Sequence, residues 1–152
     1  MALYLEFDRI VRGFEKAKLR YAVVGGLAVG LHGYIRATQD MDFLMPPLDL
    51  SKAEAMLLRL GYRANPETQE FARAGLTLQR FYKRVRNEDD LMLVDILFPT
   101  SEPMQRVLAR AVSVPFGKGL IRVVTARDLV RMKRYRNSNA DKADIEFLRK
   151  QP

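Results

Sequence analysis

The spacing of apolar residues along the chain predicts helices alternating with strands. From Leu3 to Leu19 the apolar side chains share one stripe at helical spacing, which predicts an amphipathic helix. Tyr21 to Val24 is a short continuous apolar run, as in a buried strand. Gly25-Gly26 breaks this run before a second short helix, predicted over Leu27 to His32.

The rest of the chain continues the alternation. Further strands are predicted at Asp40 to Met45, Leu76 to Tyr82 and Leu91 to Phe98, and as a hairpin of Val112 to Phe116 with Leu120 to Val124. Further helices are predicted at Ser51 to Leu60, Pro103 to Ala111, Ala126 to Tyr135 and Ala140 to Lys150. Ser51 and Thr125 are the predicted N-caps of their helices. This order predicts an α/β (α+β) fold, a small mixed β-sheet flanked by helices.

Length and composition narrow the class of protein. The 152 residues suit one domain, 1–152, with a core over about 1–100 and a basic helical part over about 101–152. Apolar residues make up 48% and charged residues 29%, which excludes wholesale disorder. We expect no membrane partner and a cytoplasmic location, because no signal peptide and no run of about 18 apolar residues is present. The absence of cysteine excludes thiolate chemistry, and one histidine excludes His-pair metal sites.

The net charge of +8 is concentrated late in the chain. Residues 1–105 carry 14 basic and 14 acidic side chains, whereas residues 106–150 carry 12 basic and 4 acidic ones. This asymmetry indicates that one face of the protein binds an anionic partner such as RNA. The alternative is that the basic residues lie on ordinary solvated helix faces.

Three aspartates occupy strand positions that are usually apolar. Asp40 and Asp42 are two residues apart, so their side chains share a face, with Cα atoms about 6.5 Å apart. Asp95 lies inside the apolar run from Leu91 to Leu97, where a carboxylate needs a cation or several donors. Oxygen-only ligands favour Mg²⁺ or Mn²⁺. The alternative is structural: Asp40 caps a strand end, Asp42 pairs with Arg36, and Asp95 pairs with an arginine.

The Gly25-Gly26 turn has chemistry of its own. Bare backbone N–H groups at the start of a helix are favourable for phosphate. By itself such a turn is also explained by close packing. Together with Asp40 and Asp42, it describes a site in which phosphates rest on the turn and metal ions link them to an incoming hydroxyl.

These stretches resemble a known family. Val24 to Val29, His32-Gly33 and Arg36 to Asp42 resemble the GG-x-A…HG-x-x-R-x-T-x-D-x-D pattern of the nucleotidyltransferase superfamily, which has the DNA polymerase β-like fold. The branch they resemble is that of the AbiEii/MenT-type toxins. Asp128 to Lys133, then Arg136, then Asp141 to Ile145, is similar to the C-terminal D-L-x-x-x-K…R…D-x-x-D-[IV]…L stretch of that branch.

The resemblance implies a role for each matching residue. Asp40 and Asp42 match the metal-binding pair, and Asp95 matches the carboxylate that activates the acceptor hydroxyl. The other implied site residues are Gly25, Gly26 and Lys133 for the triphosphate, Arg36 and Thr38 either for the nucleotide or for orienting the loop before Asp40, Asp144 bracing the site, and His32 either at a helix-end hydrogen bond or against the nucleotide.

The implied reaction moves a nucleoside monophosphate from a nucleoside triphosphate to a hydroxyl, with Mg²⁺ or Mn²⁺. The resemblance points to an RNA acceptor, the 3′ end of tRNA, and to a toxin with a cognate antitoxin protein. The positive charge also disfavours a polycationic antibiotic acceptor. A small-molecule or protein acceptor, and a degenerate protein that binds RNA or a partner without turnover, remain as alternatives.

Overall fold

The computed structural model describes residues 2–34, 38–85, 91–134 and 139–151. Within these ranges the helices are α1 (Ala2–Lys16), α2 (Gly25–Leu31), α3 (Leu50–Arg59), α4 (Glu102–Ala109), α5 (Ala126–Lys133) and α6 (Asn139–Leu148). The strands are β1 (Ala22–Val24), β2 (Asp40–Leu44), β3 (Arg63–Ala64), β4 (Gln69–Phe71), β5 (Leu76–Arg84), β6 (Leu91–Pro99), β7 (Val112–Phe116) and β8 (Gly119–Val123). The predicted mixed fold of helices around one sheet is confirmed.

All of these strands belong to one mixed sheet. Its order is β3-β5-β6-β2-β1-β8-β7, and β4 pairs with β5 beside β3. β2 runs parallel to β6, and β1 runs parallel to β8. The other neighbours are antiparallel, including β1 with β2 and β5 with β6. The sheet therefore brings β2 and β6 side by side although about 50 residues separate them in the chain.

Aromatic packing against α1 holds one face of the sheet. The Phe7 ring stacks on Phe43 with centroids 5.8 Å apart, and Phe14 meets Phe43 edge-on at 5.0 Å. All three side chains are fully buried. Since neighbouring strand residues point to opposite faces, Phe43 on the α1 side directs Asp42 to the other side. We call that other side the aspartate face, because it carries Asp40, Asp42 and Asp95.

The start of α3 differs from the prediction. Ser51 is not its N-cap: the helix begins at Leu50 after a 3₁₀ turn over Pro47–Asp49, and Asp49 occupies the cap position without a side-chain cap bond. The Asp49 carboxylate instead accepts a hydrogen bond from the Arg20 backbone N–H, at 2.9 Å. The preceding turn leads directly into the helix, so Ser51 lies inside it. Thr125, in contrast, caps α5 as predicted, accepting from the Asp128 backbone N–H.

The basic C-terminal third includes strands as well as helices. The β7–β8 hairpin forms as the apolar runs predict, and it extends the sheet at the β1 side. Of the helices described here, none combines the length and the apolar character that crossing a bilayer requires.

Candidate active site

Three carboxylates meet on the aspartate face, as the sequence predicts. Asp42 on β2 is the register partner of Asp95 on β6, and Asp40 lies two residues before Asp42 on the same face. One carboxylate oxygen from each of the three lies within 4.8 Å of the other two. Their spacing and all-oxygen donor set fit a hard divalent cation.

Asp95 is the buried member of this group, with only 3% of its surface exposed. Arg80 on β5, its register partner, donates two hydrogen bonds to its carboxylate, from Nε at 2.8 Å and from Nη2 at 2.9 Å. The same guanidinium is 3.7 Å from Asp40. These bonds to Asp95 raise the pKa of Arg80 above its ordinary value, so Arg80 stays charged.

Arg80 is the residue of this site that the sequence analysis missed. An arginine pairing with Asp95 was foreseen only as an unnamed alternative. The alternation within β5 places Arg80 on the face of Leu76 and Leu78, but its partner depends on the register with β6. The Arg80 guanidinium supplies one positive charge beside the three carboxylates, and this charge reduces their mutual repulsion.

Gly25 lies directly against the carboxylate of Asp42. Its φ is +71°, in the left-handed region, and a Cβ built there would lie 2.0 Å from Oδ2 of Asp42. Because Gly25 is the first residue of α2, the start of this helix sits against the aspartates. Val24 at the N-cap makes no side-chain cap bond. The sequence analysis linked the glycine turn to the aspartates only by inference. In the structure, Gly25 and Asp42 are neighbours in space.

His32 and Thr38 make hydrogen bonds to backbone carbonyls. His32 at the end of α2 contacts the Val124 carbonyl through Nε2 at 2.8 Å, and this contact ties α2 to the segment leading into α5. Oγ1 of Thr38 donates to the Asp40 carbonyl at 3.4 Å, next to the start of β2. Arg36 lies outside the described residues.

Lys133 lies in a buried cluster of charged side chains between α5 and α6. Only 6% of its side chain is exposed, and its Nζ is 3.0 Å from Asp144 and 3.5 Å from Asp141. Both aspartates are fully buried. The structure therefore places Lys133 in contact with Asp144, its companion in the motif, and not among solvated lysines.

The outer side of α5 is basic. Arg127, Arg131 and Arg134 are exposed at positions four and three residues apart, which places them on one side of the helix. The buried residues of the helix include Ala126, Leu129 and Val130. We call the three exposed arginines the α5 arginine stripe. The helix contacts α2, whose first residue lies against Asp42.

Known proteins share this architecture. The structure of the lincosamide antibiotic adenylyltransferase LnuA with lincomycin bound has a TM-score of 0.67 at 17% identity, over 95% of each chain. That of ANT(2″)-Ia with adenylyl-2″-tobramycin has a TM-score of 0.65 at 14% identity, covering 97% of this chain and 88% of that one. An antigenic nucleotidyltransferase-like protein from Paracoccidioides brasiliensis has 0.64 at 15%, covering 96% and 74%. At such low identities these likenesses show the fold.

The sequence itself carries the assignment to a family. A comparison with curated proteins found no match. The family model described as uncharacterised nucleotidyltransferase (NTP_transf_5) matches residues 1–132, which include the glycine turn and all three clustered aspartates. The chain therefore belongs to this nucleotidyltransferase family, and the protein is a nucleotidyltransferase.

Proposed function

We propose that the protein transfers a nucleoside monophosphate from a nucleoside triphosphate to a hydroxyl of RNA, at a divalent-metal site formed by Asp40, Asp42 and Asp95. The observation that carries the proposal is the convergence of these three carboxylates beside Gly25. Arg80 supplies one positive charge to these three carboxylates, so the group keeps an excess of negative charge that a metal cation would balance.

The donor set suits Mg²⁺ or Mn²⁺, because all three ligands are carboxylate oxygens. When bound, the metal neutralises phosphate charge and lowers the pKa of the acceptor hydroxyl. Arg80 donates to both oxygens of Asp95 and thereby fixes its orientation. In this proposal Arg80 is a positioning residue, acting through Asp95.

The nucleotide lies on the β1 side of the aspartates. Backbone N–H groups of Gly25 and Gly26, at the start of α2, donate to the phosphates, and the missing side chain at Gly25 leaves room beside Asp42. Arg36 and Thr38 belong to the same motif. Thr38 holds the chain entering β2 through the Asp40 carbonyl, and no structural role is assigned to Arg36.

Lys133 is assigned to the triphosphate, which requires its ammonium to exchange contacts with the aspartates of its cluster for phosphate oxygens. Asp144 then braces the lysine when the nucleotide is absent. His32 acts structurally, through its bond to the Val124 carbonyl.

The chemical step is an in-line displacement at the α-phosphorus. The acceptor oxygen forms a bond to this phosphorus, the bond to the bridging oxygen of the β-phosphate breaks, and pyrophosphate leaves. Asp95 takes the proton of the acceptor hydroxyl. The protein contributes mainly by positioning the reactants and by neutralising charge.

The α5 arginine stripe favours RNA as the acceptor. Along a helix, Arg127, Arg131 and Arg134 span about 10 Å, enough to contact successive phosphates of a strand. Arg131 keeps 57% of its side chain exposed despite lying 4.0 Å from Asp128. A cationic aminoglycoside would be repelled by the same surface.

Modification of tRNA 3′ ends, as a toxin controlled by a cognate antitoxin, is the cellular role that we propose for this activity. It rests on the resemblance of the two sequence motifs. Growth arrest on expression, relieved by co-expression of the neighbouring gene and absent for Asp42→Asn, is the expected result. Unimpaired growth with the wild-type enzyme would contradict the toxin role without touching nucleotidyl transfer.

A small-molecule hydroxyl is the second candidate acceptor. It is favoured by the structural neighbours, whose bound molecules are lincomycin and an adenylylated tobramycin. The two candidates differ in salt dependence, because only a polyanionic acceptor releases many counterions on binding.

The proposal is tested by Mg²⁺-dependent transfer of labelled nucleotide, with total RNA, lincomycin and tobramycin as separate acceptors. Asp42→Asn should lower turnover at least about 100-fold and weaken Mn²⁺ binding measured by calorimetry. Asp8 on α1, a carboxylate with 47% of its side chain exposed, provides the matched control, and Asp8→Asn should match the wild type. Normal turnover in Asp42→Asn would refute the site.

The acceptor assignment has its own test. Arg131→Ala with Arg134→Ala should weaken RNA binding and reduce the slope of log K against log salt by roughly one unit per lost phosphate contact. Arg9→Ala with Arg59→Ala, exposed arginines of α1 and α3, is the control pair. Transfer to lincomycin or tobramycin, with none to RNA, would replace RNA by the second candidate.

A further inference from the structure

A row of paired residues crosses the aspartate face next to the carboxylates. Arg63 on β3 pairs with Tyr82 on β5, Tyr82 pairs with Leu93 on β6, and Leu93 pairs with Asp40 on β2. Directly paired residues point to the same face, so Tyr82 shares a face with Asp40. Arg80, two residues before Tyr82, confirms this orientation through its bonds to Asp95.

The outer end of this row is open to solvent. Tyr82 is 36% exposed, and Leu91, paired with Arg84, is exposed as well. Arg63 and Arg84 are also exposed, one across from Tyr82 and the other two residues after it. Proteins that bind single-stranded nucleic acids combine exposed aromatic rings with nearby positive charge, as Tyr82 is combined here with Arg63 and Arg84. This surface adjoins the aspartate cluster.

The order of the strands assigns this surface to the acceptor. From one side to the other, the aspartate face runs β5, β6, β2, β1. Gly25, at the β1 end, takes the phosphates in the proposed function. In this proposal the acceptor hydroxyl approaches from the β5 side, where Tyr82 lies two strand spacings, about 10 Å, from Asp40. The α5 arginine stripe lies on the α2 side of the aspartates, so it contacts a part of the same RNA that is more distant from the reactive hydroxyl. A nucleoside whose hydroxyl reaches the aspartates extends its base in that direction.

We propose that Tyr82 is a stacking platform for a nucleobase of the RNA acceptor beside its reactive hydroxyl, with Arg63 and Arg84 contacting the adjoining phosphates. This assignment rests on the RNA acceptor of the proposed function. Tyr82 offers a flat, rigid surface that accepts any base, and the two arginines supply charge to a phosphate backbone. The platform selects single-stranded ends, since a base inside a duplex has no free face.

The first experiment measures binding of a labelled single-stranded RNA of about 10 nucleotides by fluorescence anisotropy, and the KM for the same RNA in transfer. Tyr82→Ala should raise both constants about 5- to 150-fold, the range found for lost base–aromatic stacks. Tyr82→Phe keeps the ring and should stay close to the wild type. Tyr4→Ala is the matched control: Tyr4 is 44% exposed, on α1 across the sheet, and its loss should change neither constant.

Tyr82→Ile separates stacking from folding, because isoleucine keeps the strand preference and the apolar bulk without an aromatic face. It should match Tyr82→Ala in RNA binding while unfolding at the wild-type temperature. The second experiment uses the same RNA with an abasic 3′-terminal nucleotide and with an abasic penultimate one. When the missing base is the one that stacks on Tyr82, the wild type and Tyr82→Ala should bind that RNA with equal affinity.

Two results would overturn the platform. One is wild-type RNA affinity and KM in both Tyr82→Ala and Tyr82→Ile. The other is a loss of equal size on intact and on both abasic RNAs, which would mean that Tyr82 does not contact a base. If the wild type binds no RNA, the platform and the RNA acceptor both fall, whereas Mg²⁺-dependent transfer to another acceptor would leave the nucleotidyl-transfer site standing.

Discussion

Replacing Gly25 by alanine tests whether the glycine turn and Asp42 form one site. The backbone of Gly25 has φ +71°, and a Cβ there would lie 2.0 Å from Oδ2 and 2.9 Å from Cγ of the Asp42 carboxylate. Ordinary contact for a Cβ begins at 3.4 Å. The Asp42 carboxylate must therefore withdraw by more than about 1 Å, a displacement that is enough to cost about 100-fold in rate.

Two contributions to stability can be separated at this position. A left-handed backbone costs a residue with a Cβ about 1–2 kcal/mol, and the stiffer unfolded chain returns about 0.4–1 kcal/mol. Gly117 provides the matched control: its φ is +59°, and a Cβ there meets nothing within 4 Å. Gly117→Ala therefore isolates the backbone cost, and Gly25→Ala adds the displacement of Asp42.

The assay compares kcat/KM for nucleotide transfer, Mn²⁺ affinity and the free energy of unfolding in urea. We expect both variants to lose about 1 kcal/mol of stability. Gly25→Ala should also lose at least about 100-fold in kcat/KM, whereas Gly117→Ala should keep wild-type activity. Equal activities in the two variants would refute the reasoning, because Asp42 would then tolerate displacement or lie outside the site.

Two further predictions concern buried polar groups. Lys133→Met leaves Asp141 and Asp144 buried without their shared cation, so the free energy of unfolding in urea should fall by about 3–5 kcal/mol; a loss below about 1 kcal/mol would contradict the buried cluster. Burial, together with Glu6, raises the pKa of Tyr62 above its ordinary value of 10.0. Stability is therefore fully present below pH 10.0 and falls as the pH rises beyond it. Tyr62→Phe should flatten this alkaline fall in urea titrations at increasing pH, and an unchanged slope would contradict the assigned cause.

Local patterns account for the elements that the sequence predicts. Each of these elements depends on residues within one segment of the chain. Examples are the apolar stripe along α1, the apolar run of β1 and the hairpin turn between β7 and β8. Strands β3 and β4 are different: β3 has two residues, too few to show any periodicity, and all three residues of β4 are exposed. These strands form because β5 offers them a partner, which is a property of the assembled sheet.

The candidate active site also depends partly on local sequence and partly on the assembled sheet. Asp40 and Asp42 share a face because strands have a period of two, so their pairing is readable from the sequence. That Asp95 joins them depends on the parallel register of β2 with β6, and Arg80 reaches Asp95 only through the register of β5 with β6. A shift of either register by one residue would turn these side chains to the opposite face.

The sequence by itself determined the chemistry available to this protein: three strand aspartates, a Gly-Gly turn before a helix, no thiol, and a basic C-terminal third. It determined these because residue types and local spacing are carried by short segments. Only the tertiary structure decided which charges meet, setting Arg80 against Asp95, Gly25 against Asp42, and Lys133 between Asp141 and Asp144. The reason is physical: a buried charge takes its partner from whatever element the packing of sheet and helices brings within hydrogen-bond reach, and sequence distance places no limit on that choice.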